Sequence, residues 1–122
     1  MLTTHIYLNG HTKDALQLYK NAFDADIKTV IINPENATLI IHSEIMIHNQ
    51  LLILNDFGDN DGFSISGGYQ LVLKFDNEQE LKKAYSNFEG GCKIISPMQS
   101  NEYTPCQIRF IDRFDVRWAF YV

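Results

Sequence analysis

Apolar and polar residues alternate over residues 2–8 as in a short half-buried strand, and the Asn9-Gly10 pair that follows is a turn signal. Ala15, Leu16, Tyr19, Ala22 and Phe23 then recur at helical spacing. This predicts a helix over 12–23 with Thr12 as its N-cap and one apolar stripe to lay on a sheet. Three strands are expected next: 27–32, then 37–47 after the Asn33-Pro34-Glu35-Asn36 turn, then 51–55 after His48-Asn49. In 57–68 glycines and aspartates erase any apolar period, and that segment reads as a linker. A strand over 69–75 follows. Asn77 then caps a second helix, with Glu80 three residues on as in a capping box, and Leu81, Ala84, Tyr85 and Phe88 form its apolar face. Gly90-Gly91 stops that helix, and strands are expected at 92–96, 106–111 and 116–122.

Both halves therefore read strand, helix, strand, strand, strand. A shift of 65 positions lays Ile6 on Leu71, Leu8 on Leu73, Thr12 on Asn77, Leu16 on Leu81, Phe23 on Phe88 and Lys28 on Lys93. Caps, stripes and strands align under one shift, which points to internal duplication. The expected architecture is one α+β domain over residues 1–122, with a first βαβββ module at 1–56 and a second at 69–122.

Composition narrows the possible partners. A chain of 122 residues, 45% hydrophobic and 12% aromatic, has material for a real core without a disulfide or metal staple. Its net charge of −5 spreads ten basic residues among fifteen acidic ones, which disfavours nucleic acid and an anionic membrane surface. No basic segment followed by an apolar run opens the chain, and no stretch of about 18 apolar residues occurs, so a cytoplasmic location is expected. Cys92 and Cys106 match no zinc or redox spacing and read as reduced structural thiols.

His42 and Glu44 are the first candidates for chemistry. Two positions apart on one strand, they project from the same face, where a carboxylate can orient an imidazole as a general base. An exposed strand face or a dimer contact would carry the same pair. Asp56, at the end of its strand, either reaches that region or simply terminates the strand. Tyr7, Trp118 and Phe120 supply aromatic surface, either as core or as the wall of a cavity for a flat or apolar ligand. Asp56-Phe57-Gly58 lacks the other kinase motifs, and Asp59-Asn60-Asp61-Gly62 lacks calcium ligands at the required spacing.

Tyr7-Leu8-Asn9-Gly10 with Ala15 to Tyr19, Ile41 to Ile45 with Leu51 to Asp56, and Asp112 to Trp118 together resemble the vicinal oxygen chelate superfamily. That superfamily includes glyoxalase I, bleomycin-resistance proteins and extradiol dioxygenases, and the likeness is closest to its PhnB-like branch. The resemblance implies tandem βαβββ repeats that form a curved, mostly antiparallel sheet around a cavity, and a homodimer. Arg113 and Asp115 stand where the family writes proline and glycine, so that turn is expected to be built differently. Metal-dependent members take ligands from the first and fourth strands of each half. His5, or Thr4 by direct comparison, and Gln70 occupy the first-strand positions here, while the fourth-strand positions fall near Leu54 and Ala119, which coordinate nothing. The resemblance thus implies a protein with no metal and no cofactor that binds a small organic ligand through His5, Tyr7, Gln70 and Trp118. The alternative is a lyase, isomerase or dioxygenase that uses His42 and Glu44 or a divergent metal site at His5.

Overall fold

The computed structural model describes residues 1–57 and 67–122. Most of the segment read as a linker, and the Asp59 to Gly62 run within it, lies outside the described residues. By its contacts the chain divides into two compact units, Met1–Ser64 and Ile65–Val122.

The first unit runs β1 (Thr4–Tyr7), α1 (Thr12–Phe23), β2 (Asp26–Asn33), β3 (Asn36–Ile47) and β4 (Gln50–Asn55). The second runs β5 (Leu71–Lys74), α2 (Glu78–Ser86), β6 (Lys93–Gln99), β7 (Gln107–Ile111) and β8 (Arg117–Tyr121). Each unit forms a four-stranded mixed sheet, in the orders β1-β4-β3-β2 and β5-β8-β7-β6. In both, the first strand lies parallel to the fourth and the other pairings are antiparallel. The two units thus repeat one topology, and among the described residues neither sheet closes into a barrel.

Strand parity sorts the first sheet into two faces. Ser43, Ile45 and Ile47 of β3 and Leu52 and Leu54 of β4 are buried. Helix α1 lies against these strands and buries Ala15, Leu16, Leu18, Tyr19, Ala22 and Phe23. The stripe read from the sequence is this buried face, and the helix bounds match the expected ones.

The cap of α1 does not match. Thr12 is the first helical residue, its side chain is fully buried, and its Oγ1 has no hydrogen-bond partner. Asp56, 44 residues away at the end of β4, does the capping instead. Its Oδ1 accepts from the Gly10 and Thr12 backbone N–H groups, each at 2.9 Å, and its Oδ2 accepts from Ile40 N–H at 2.7 Å. One carboxylate therefore satisfies a helix start, the β1–α1 turn and a residue of β3, and it faces the positive end of the helix dipole.

In the second unit the expected cap is present: Asn77 Oδ1 accepts from Glu80 N–H at 2.9 Å. The core is aromatic. Phe88 sits with Phe110, Trp118 and Phe120 at centroid separations of 5.1, 6.1 and 5.7 Å. Asp112 holds the turn before β8, its Oδ1 accepting from Phe114 and Val116 N–H. Asp115 in that turn adopts φ 65°, left-handed backbone that glycine enters without steric cost. At the position where the family writes glycine, the aspartate itself takes the left-handed conformation, which Asp tolerates better than most residues.

Candidate functional site

The face of the first sheet turned away from α1 carries the polar candidates. Glu44 of β3 pairs with Ile53 of β4, and Ile53 pairs with His5 of β1. Residues directly opposite one another across a ladder share a face, so His5, Ile53 and Glu44 lie along one rung. His42 and Tyr7 join this face by the two-residue alternation, and the His5 and Tyr7 rings lie 4.6 Å apart between centroids, tilted by 36°. His42 Nε2 and Glu44 Oε2 are 2.9 Å apart. The pair is one-third exposed, at 34% and 32% of the side chains, so the contact itself adds little stability. With a proton on Nε2 directed to the carboxylate, Nδ1 is left as the basic nitrogen, available to a ligand proton.

Asn55 is a member of this face that sequence reasoning passed over. It pairs with Tyr7, and its Oδ1 is buried without a hydrogen-bond partner. A buried amide oxygen without a donor is uncommon and marks a place where a ligand N–H or O–H would be received. The available signal was parity, since Asn55 alternates with the apolar residues of β4.

Two sequence expectations land elsewhere. Trp118 is 2% exposed and packs within the aromatic core of the second unit, with Nε1–H donating to Asp112 Oδ2 at 3.0 Å. It pairs with Phe110 and Leu71, whose side chains share its face. Leu54 is likewise on the helix side of its sheet, fully buried and paired with Ile6, so β4 presents Leu51, Ile53 and Asn55 on the open face instead. Gln70 is exposed and immediately precedes β5.

The fourth-strand positions of the described residues offer a divalent ion no carboxylate. The open-face residues here are Leu51, Ile53 and Asn55 on β4, and Arg117, Ala119 and Tyr121 on β8. None of these side chains is anionic. Among the described residues no group of three or more His, Cys, Asp or Glu side chains could hold a metal. None of the described helices is long and apolar enough to cross a membrane. Cys106 is buried, and burial raises its thiol above the usual range, in keeping with an inert structural cysteine.

No protein-family model and no curated protein sequence matches the chain, but solved structures do. The PhnB protein of Bacillus cereus superposes with a TM-score of 0.87 at 20% identity, covering 98% of this chain and 97% of that one. Protein PA1353 of Pseudomonas aeruginosa gives 0.84 at 18%, covering 99% and 96%. The fosfomycin resistance protein FosX of Listeria monocytogenes gives 0.68 at 11%, covering 98% and 88%. PhnB-like proteins and FosX are members of the vicinal oxygen chelate superfamily, and the fold of this chain is the glyoxalase/bleomycin-resistance fold of that superfamily.

Proposed function

We propose that the protein binds a small organic molecule, without a metal, on the open face of its first sheet. The observation that carries this reading is the His42–Glu44 pair at 2.9 Å, one-third exposed on a face that also bears His5, Tyr7 and the unpartnered Asn55 amide oxygen. A few convergent polar groups set among apolar ones, here Leu51 and Ile53, are what a ligand site requires. Thermal-shift screening against small organic compounds should find some that raise the melting temperature, because selective binding to the folded state stabilises it. For such a compound, His42→Ala and Glu44→Gln are each expected to weaken binding about tenfold, or about 1.4 kcal/mol, while unfolding is unchanged. Equal affinity in both variants would place the ligand elsewhere.

The same pair supports a second reading, a metal-free acid–base catalyst in which Glu44 orients His42 and His42 moves a proton at the ligand. Turnover of a compound found by screening, lost in both variants, would favour it over sequestration. FosX, which shares the fold, has been crystallised with Mn(II) and a dihydroxypropylphosphonic acid. For the present chain elemental analysis after chelator-free purification is expected to show far less than one equivalent of zinc, nickel, iron or manganese. A full equivalent, lost on His5→Ala, would overturn the metal-free reading.

A homodimer is also proposed. Edge strand β2 leaves Val30, Ile31 and Ile32 at 42%, 48% and 47% exposure, an apolar edge of the kind that pairs with another chain. Sedimentation is expected to give twice the 14.1 kDa chain mass, and Ile31→Lys to give the monomer. A wild-type monomer at tens of micromolar (~10–100 µM) would rule the dimer out.

A further inference from the structure

The open face of the second sheet has an unusual charge for this chain. Register and alternation place Lys74 of β5, Lys93 of β6, Arg109 of β7 and Arg117 of β8 on it, together with Val72, Gln107, Ile111, Ala119 and Tyr121. Four cations and no carboxylate share one face of a protein whose net charge is −5. The two arginines are diagonal neighbours: Arg109 pairs with Ala119, and Arg117 lies two residues before Ala119 on the same strand. Such neighbours are about 7–8 Å apart at the backbone, within reach of long side chains. Between them Ala119 contributes only a methyl group.

Arg109 Nε is shielded from solvent with no partner, and the Arg117 guanidinium lies beside Gly67 with no hydrogen bond or ion pair among the described residues. A desolvated guanidinium N–H left unmatched is costly, and the group that best matches its planar fork is an oxyanion that accepts two parallel hydrogen bonds. We propose that Arg109 and Arg117 form a binding site for the carboxylate, phosphonate or phosphate group of a small organic acid. Arg109 supplies the bidentate fork from the floor of the site and Arg117 the second charge. Lys74 and Lys93, exposed on the outer strands, raise the local potential without touching the ligand. The site lies wholly within the second unit, so failure of the His42–Glu44 reading leaves it untouched.

Titration calorimetry of the full chain with phenylphosphonate, benzoate and uncharged benzamide tests the assignment. Both acids are expected to bind about tenfold or more tightly than benzamide, with affinity falling as salt is raised. Arg109→Gln and Arg117→Gln are each expected to remove about tenfold of that preference without changing benzamide binding. Should Arg109→Gln fail to fold, Arg109→Lys retains the charge and lacks the fork, and it is expected to bind the acids more weakly than wild type. Equal affinity for acid and amide in the wild-type protein overturns the proposal, as do substituted proteins that fold and keep the full acid preference.

Discussion

Asp56→Ala is expected to lower the unfolding free energy by about 4 kcal/mol, seen as a fall in the urea midpoint without a change in slope. Three backbone N–H groups depend on this side chain: Gly10, Thr12 and Ile40. Hydrogen bonds to a charged acceptor contribute about 1.5–3 kcal/mol each, and the two donors that belong to buried residues have no water to turn to once the carboxylate is gone. The three losses share one site and will not add fully. Asp56→Asn retains one carbonyl oxygen for Gly10 and Thr12 but turns an NH2 toward Ile40 N–H, so about half the loss is expected. The residue is 6% exposed, on the edge of the first sheet's hydrogen-bonded framework. Ligand binding by the folded fraction should therefore survive both substitutions. A loss below about 1 kcal/mol for Asp56→Ala would show that the capping geometry is dispensable.

Asp56 also marks where sequence reading stops. Helix α1 was legible because its signal is local: five apolar residues at helical spacing determine both the helix and its buried face. The Asn77 cap was legible for the same reason, since its acceptor and its donor lie three residues apart. The α1 cap was not, because its acceptor arrives from a strand end 44 residues later, and Thr12 merely has the residue type that caps usually have. The repeated topology could be read from a single shift, yet the choice of face at each fourth strand could not. Leu54 and Asn55 are neighbours in sequence, and only the pairing of β4 with β1 and β3 decides which one looks away from the helix. The same parity brings His5 and Glu44 onto one face and leaves Arg109 and Arg117 together, while Trp118 turns inward. Chemistry carried by two positions on one strand, as in His42 and Glu44, survives this uncertainty because their relative parity is fixed by spacing alone.

Trp118→Ala is expected to cost about 3–5 kcal/mol, the range for removing a large aromatic from a core that cannot collapse around the gap. The indole is 2% exposed and lies about 6 Å, centroid to centroid, from both Phe88 and Phe120, at 6.1 and 6.0 Å. Phe88 and Phe120 in turn both contact Phe110, at 5.1 and 5.0 Å, so the cavity would open inside a mutually packed cluster. Trp118→Phe separates packing from hydrogen bonding. It keeps most of the ring volume but removes the donor to Asp112 Oδ2, and Asp112 also holds the turn that starts β8. A loss of about 1–2 kcal/mol is expected for that change. The outcome also decides the role of this residue. A core tryptophan gives large stability losses, with affinity for ligands unchanged in the molecules that remain folded. A ligand-lining tryptophan gives the reverse, and a Trp118→Ala protein that kept its wild-type urea midpoint while losing ligand affinity would return this side chain to the binding site.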